Sequence, residues 1–275
     1  FYKINMTGGL AITAAAVNFE CLKLGNMKFL LAGFMSFFIL SGLKAQTADD
    51  IIGRYVQAMG GLDKLRSLKS IDAEAVTVMG NGNEVKTRIY RVQGKLYRRE
   101  VNFGMGSFVS IVTDSQGWMS NPRGEAAFQE MPKAMWESQL FELDCQGPLV
   151  DYAAKGNRVE LMGMEQVNNR NCYKLRLTLK SGRELNYYID DKDFYIQRLQ
   201  YKTSAGMRGR RPQDNAAGPA EVEMSIDYAD YRKTDEGYVF PYTVTMPGMG
   251  GRSTSMQFEK IEVNQPVDEK LFRPE

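Results

Sequence analysis

Histidine is missing from all 275 residues. That removes the commonest general base and the commonest zinc ligand, so a hydrolase triad or a histidine-held metal is excluded from the outset. Cysteine is nearly missing, at three residues. A nucleophilic thiol has no imidazole to activate it, and no metal or cofactor site is expected. Excess charge of either sign is also lacking, at 35 basic against 33 acidic residues. Four of the basic residues (Lys3, Lys23, Lys28, Lys44) and one acidic residue (Glu20) lie in the first 45, so the remainder carries one more acidic than basic group. Such a balance does not suit nucleic acid. Beyond residue 45 no apolar run is long enough to span a bilayer. The expectation is a binding protein rather than an enzyme.

What is present begins with a targeting signal. Met27-Lys28 precedes the apolar run Phe29 to Leu43, and Ala45 supplies the small residue at a cleavage point before Gln46. Residues 1–26 read as an upstream over-extension, 27–45 as the signal peptide and 46–275 as one domain. No cysteine follows the cut directly, so the expected product is a soluble, exported monomer without a lipid anchor. Thr47 to Gly60 then reads as a helix, with Thr47 as cap, Asp49 and Asp50 in the first turn, and Ile51, Ile52, Tyr55 and Met59 as its apolar stripe.

From Ile71 the hydrophobic period becomes two. Strands are expected over Ile71–Met79, Glu84–Gln93, Lys95–Phe103, Ser107–Thr113 and Gly117–Ser120. Ser107–Thr113 is apolar on both faces, which requires cover on both sides or a cavity against one. After residue 172, Tyr173, Leu175, Leu177 and Leu179 alternate with polar neighbours, and further strands follow to Val263. Ten or eleven strands joined by tight turns suggest one antiparallel sheet or barrel. Ala205 to Pro219 has no periodicity and reads as a loop, and its Arg208–Arg211 cluster as solvated.

Between the strands lies one helical passage, Pro132 to Lys155. Pro132 suits a first helical turn, and Trp136, Leu140 and Leu143 fall on one face. A second short helix is expected over Leu149–Lys155, ending at Gly156. Such an amphipathic pair must lie across the sheet, either as a plug or as a lid over a space. If a lid, Trp136, Leu140 and Leu143 are expected to face Tyr97, Val101, Phe103 and Phe108 across one apolar site. The scattered methionines, 16 in all, suit either an adaptable binding surface or an irregular core. Cys145 and Cys172 are a candidate disulfide, with two separate buried thiols as the alternative. Asp190-Asp191-Lys192-Asp193 lacks the ligand spacing and glycine of a calcium loop and reads as a solvated hairpin. Asp144 and Asp151 read as capping residues.

The order of segments resembles a known family. It runs ADDIIGRYVQAMGGLDKL (Ala48 to Leu65), GWMSNPRG (Gly117 to Gly124), GPLVDYAAKG (Gly147 to Gly156), NYYIDDKDFYIQRL (Asn186 to Leu199), DYRKTDEGYVFPYTV (Asp230 to Val244) and FEKIEVNQPVDEKLFRPE (Phe258 to Glu275). This resembles the outer-membrane lipoprotein-sorting proteins of the LolA/LolB-like superfamily. The resemblance implies an open, curved antiparallel half-barrel with a helical lid, and a periplasmic carrier of lipoprotein acyl chains or other lipid. Inner- or outer-membrane transfer partners would follow, as would a strand arginine bonded to the lid, for which Arg88, Arg91 and Arg98 are candidates. The same half-barrel also implies an alternative role, as an envelope sensor or protein-interaction module.

Overall fold

The computed structural model describes residues 46–79, 82–104, 106–120, 128–204, 221–247 and 253–274. The expected signal peptide, the segment before it, and the Arg208–Arg211 cluster lie outside these residues. Residues from Gln46 to Glu275 form one compact unit. Among the described residues its backbone is a single antiparallel sheet of 13 strands, open at both edges. In chain order the strands are β1 (Ser70–Val78), β2 (Glu84–Val92), β3 (Leu96–Asn102), β4 (Ser107–Thr113), β5 (Gly117–Ser120), β6 (Phe128–Glu130), β7 (Arg158–Val167), β8 (Arg170–Thr178), β9 (Glu184–Asp190), β10 (Ile196–Ser204), β11 (Glu221–Lys233), β12 (Val239–Pro247) and β13 (Ser253–Val263). Strand β13 returns beside β1, which joins the two halves of the chain into one surface running from β6 to β7.

Two strands escape the periodicity. The three-residue β6 is too short to show a period. Strand β7 is a sheet edge exposed along nearly its whole length, so alternation has no buried face to mark. Gly163, at φ 111°, forms a bulge in it, and the charged side chains of Arg158, Glu160 and Glu165 blunt the edge.

Helix α1 (Ala48–Ala58) starts where expected. The Thr47 side chain accepts from the Asp50 amide while the Asp50 carboxylate accepts from the Thr47 amide, a reciprocal cap. Its stripe of Ile51, Ile52, Tyr55 and Val56 packs on Leu175, Leu177, Leu185 and Ile189 of β8 and β9. Each such buried side chain contributes about 1.5–3 kcal/mol. A short helix, α2 (Leu62–Arg66), leads into β1.

The two apolar faces of β4 are both covered. Val112 points inward with Met131 and Leu143, whereas Ile111 and Val109 point outward under Val267, Leu271 and Phe272 of the C-terminal segment. Arg98 on the same outer face pairs with Glu100 and donates to the Leu271 carbonyl.

The helical passage is much shorter than its sequence suggests. Helix α3 covers only Lys133–Glu137, a 3-10 turn covers Leu140–Leu143, and the expected helix over Leu149–Lys155 is a series of turns. Asp151 takes a left-handed backbone conformation, φ 52°, which no helix interior tolerates. Its carboxylate accepts two hydrogen bonds from Arg66, at 2.6 and 2.7 Å, so it ties the turn to α2 rather than capping a helix. Asp144 likewise pairs with Lys155 at 2.6 Å.

The Asp190–Asp193 turn is less solvated than expected. Asp190 is buried, and its carboxylate accepts from the amides of Lys192 and Asp193 and from Arg170. Burial opposes ionisation, but the two amides and the guanidinium outweigh it and hold the carboxyl below its ordinary 3.8. A lowered folded-state pKa stabilises above the unfolded value and loses that contribution as pH falls through the folded one. Asp190→Asn is therefore expected to cost about 1.5–3 kcal/mol at pH 7. In urea unfolding, the gap between variant and wild type should close as pH drops below about 4; a gap independent of pH would refute the assignment.

Candidate functional site

Residues paired directly across an antiparallel sheet share a face. Ile71 pairs with Arg91, Arg91 with Tyr97, and Tyr97 with Val112; Ala73 pairs with Ile89, and Ile89 with Arg99. The inner face of β1–β4 is therefore an apolar surface carrying two arginines. It meets the inner faces of β10–β13 across a cavity of about 310 Å³, roofed by Tyr55 of α1, by Met59 just after it and by residues 141–149. Its walls are dominated by aliphatic and aromatic side chains, among them six tyrosines: Tyr55, Tyr97, Tyr187, Tyr228, Tyr231 and Tyr238. Tyr231 donates to the Ile196 carbonyl, and Tyr238 bonds Ser67 and Asn264. Burial pushes the phenols of Tyr55, Tyr187 and Tyr228 well above their ordinary range, so they remain neutral. The volume stands at the lower end of small-molecule pockets.

The roof is fastened along one line. Arg91 on β2 donates to the Glu142 carboxylate at 2.5 Å, and its guanidinium lies 5.0 Å from the Tyr97 ring centre. Burial works against the Arg91 charge, but Glu142 and the neighbouring phenols outweigh it. Two residues on, Gln93 accepts from the amides of Cys145 and Gln146 and donates to Asp144. The Gly94 amide adds a bond to the Leu143 carbonyl. Of the three candidate arginines, Arg91 reaches the roof; Arg88 pairs with Asp72 and Arg98 with Glu100 on the outer face.

The residues proposed from sequence distribute unevenly around this space. Tyr97 lines the cavity. Val101 is buried on the same face and pairs with Phe108, further along the strands, and Phe103 stands 52% exposed past the end of β3. Trp136, Leu140 and Leu143 pack with Val112 and Met131 in a cluster of their own beside the cavity. The Trp136 Nε1 donates to the Thr113 carbonyl at 2.9 Å. Gly117 makes room for this cluster: a Cβ there would stand 2.9 Å from the Met131 sulfur. This helical stripe is a plug, and the cavity lies next to it rather than beneath it. Alternation placed Tyr228 on the apolar face of its strand, but nothing in the sequence marked Gln93 or Glu142 as roof contacts, because their partners lie far along the chain.

Cys145 and Cys172 are both free and buried, in separate clusters, so the two-thiol alternative describes this structure. Burial pushes both thiols up to about 11, which leaves them unreactive at neutral pH.

No protein-family model matches the chain, and no curated protein does. Among solved structures it is similar to a domain described as an outer membrane lipoprotein-sorting protein from Vibrio parahaemolyticus, with 12% identity, a TM-score of 0.48, and coverage of 81% of this chain and 94% of that one. It is similar to a LolA superfamily protein from Nitrosomonas europaea, with 10% identity, a TM-score of 0.49 and coverage of 82% and 97%. It is also similar to a DUF1329 family protein from Desulfovibrio piger, with 14% identity, a TM-score of 0.48 and coverage of 83% and 98%.

Proposed function

We propose that this protein binds the acyl chain of a lipid or lipoprotein in the cavity between α1, residues 141–149 and the inner face of the sheet, and works in the cell envelope as a carrier without chemistry. The observation that carries this reading is the cavity itself, apolar-walled and about 310 Å³ in volume. The driving force is apolar area removed from water, about 25 cal/mol per Å². The Arg91–Glu142 pair marks the roof. Leu140, packed in the neighbouring plug, is the wrong place to block such a site.

Ile226 on β11 lines the cavity and is only half-buried, so a larger side chain has space to enter. A neutral naphthylamine probe and a fluorescent acyl lipopeptide are expected to bind wild type and to lose at least about tenfold in affinity to Ile226→Trp, a loss of 1.4 kcal/mol. Thermal unfolding of the variant should change little. Wild type that binds neither probe, or binding indifferent to Ile226→Trp, would sink the carrier reading. An interaction module would instead retain a protein partner with the cavity blocked.

A further inference from the structure

Most strand arginines among the described residues are paired with carboxylates, but the cavity holds one that is not. Arg91 has Glu142, Arg88 has Asp72, Arg98 has Glu100 and Arg198 has Asp227. Arg99 lines the cavity and has no ion pair or hydrogen bond among the described residues, and its Nε is buried without a partner. Arg176 shares the orphaned Nε, but it alternates with Leu175 and Leu177 and therefore faces away from the cavity.

The other charges of the wall cancel. Glu142 is taken by Arg91, and Asp144, also in the wall, is taken by Lys155 and Gln93. One positive charge is left over. It stands on the inner face between Ile89 and Ser110, and it acts electrostatically on both Tyr97 and Tyr201, as Glu142 does. A half-buried guanidinium with unused donors is a fork for a carboxylate or phosphate.

We infer that the ligand of this cavity is an anionic amphiphile, a single alkyl chain ending in a carboxylate or phosphate, with its headgroup on Arg99 and its chain against the aliphatic wall of β10–β13. This rests on the acyl-binding reading above and narrows it, since a neutral lipid would leave Arg99 unpaired. A charge-assisted pair in such a site is worth at least about a tenfold preference over the uncharged analogue.

The test is displacement of the neutral probe N-phenyl-1-naphthylamine by dodecanoate, dodecyl phosphate and dodecanol. Wild type is expected to take one or both anions at least about tenfold more tightly than dodecanol, and the tighter anion identifies the headgroup. Arg99→Met should erase that gap, and Arg99→Lys should keep part of it. Arg99→Gln, polar and closer in shape, serves if the methionine variant does not fold. Equal binding of acid and alcohol by wild type, or a gap that survives loss of Arg99, would overturn this inference alone. Failure of the probe and all three ligands to bind would remove the cavity reading together with it.

Discussion

Leu149→Ala is expected to destabilise the protein by about 2–5 kcal/mol, the range for a leucine cut back to alanine in a packed core. Leu149 is 1% exposed and sits where three structures meet: α1, the inner face of β8–β10 and the turns that follow Pro148. The cost divides between the lost transfer energy and a new void, which here merges with the existing cavity because Leu149 also lines it. Merging gives the variant a second signature. It should take longer acyl chains than wild type even as its urea midpoint falls. Leu140→Ala, in the half-buried plug, should cost clearly less. Urea unfolding of both variants decides the order, and a larger loss at Leu140 would show that the plug, and not the Leu149 turn, anchors the roof.

The second large effect is expected at the pair that fastens the roof. The side chains of Arg91 and Glu142 are 27% and 21% exposed. Removing one partner strands the other charge, which costs about 3–5 kcal/mol in a fully buried pair. Partial exposure brings the expectation here down to about 2–3 kcal/mol for Arg91→Met or Glu142→Met alone. The double variant should be less destabilised than either single one, because two methionines leave no unpaired charge and fit an apolar wall. Urea unfolding of the full cycle measures this; additive losses would mean that the two side chains are not coupled. Loosened variants should also release the naphthylamine probe faster, since Glu142 belongs to the roof.

The sheet was legible because its strands have a buried and an open face, so the period of two is written into residues such as Tyr173, Leu175 and Leu177 of β8. Edge strand β7 was not, for the converse reason: with almost every position exposed, nothing selects an alternation. Helix α1 was legible from its cap and stripe, both of which are local. The passage 132–156 was overread, because periodic leucines favour a helix only while no longer-range bond competes. Here the Arg66–Asp151 and Lys155–Asp144 pairs hold the chain in turns.

The candidate site divides along the same line. By itself the sequence determined that histidine chemistry is absent, that strands dominate, and that an apolar stripe must lie against them. It also specified that Tyr97, Val101 and Phe103 share a face, since alternation depends only on the backbone. Only the tertiary structure decided that the stripe of Trp136, Leu140 and Leu143 fills its own pocket while a cavity opens beside it. It also decided that Arg91 finds a carboxylate and Arg99 does not, though both stand on the inner face of neighbouring strands. The partner of Arg91 comes from a roof segment 51 residues further along the chain. No local pattern specifies which of two inward arginines such a segment will reach, because the choice is made by how the roof packs across the sheet.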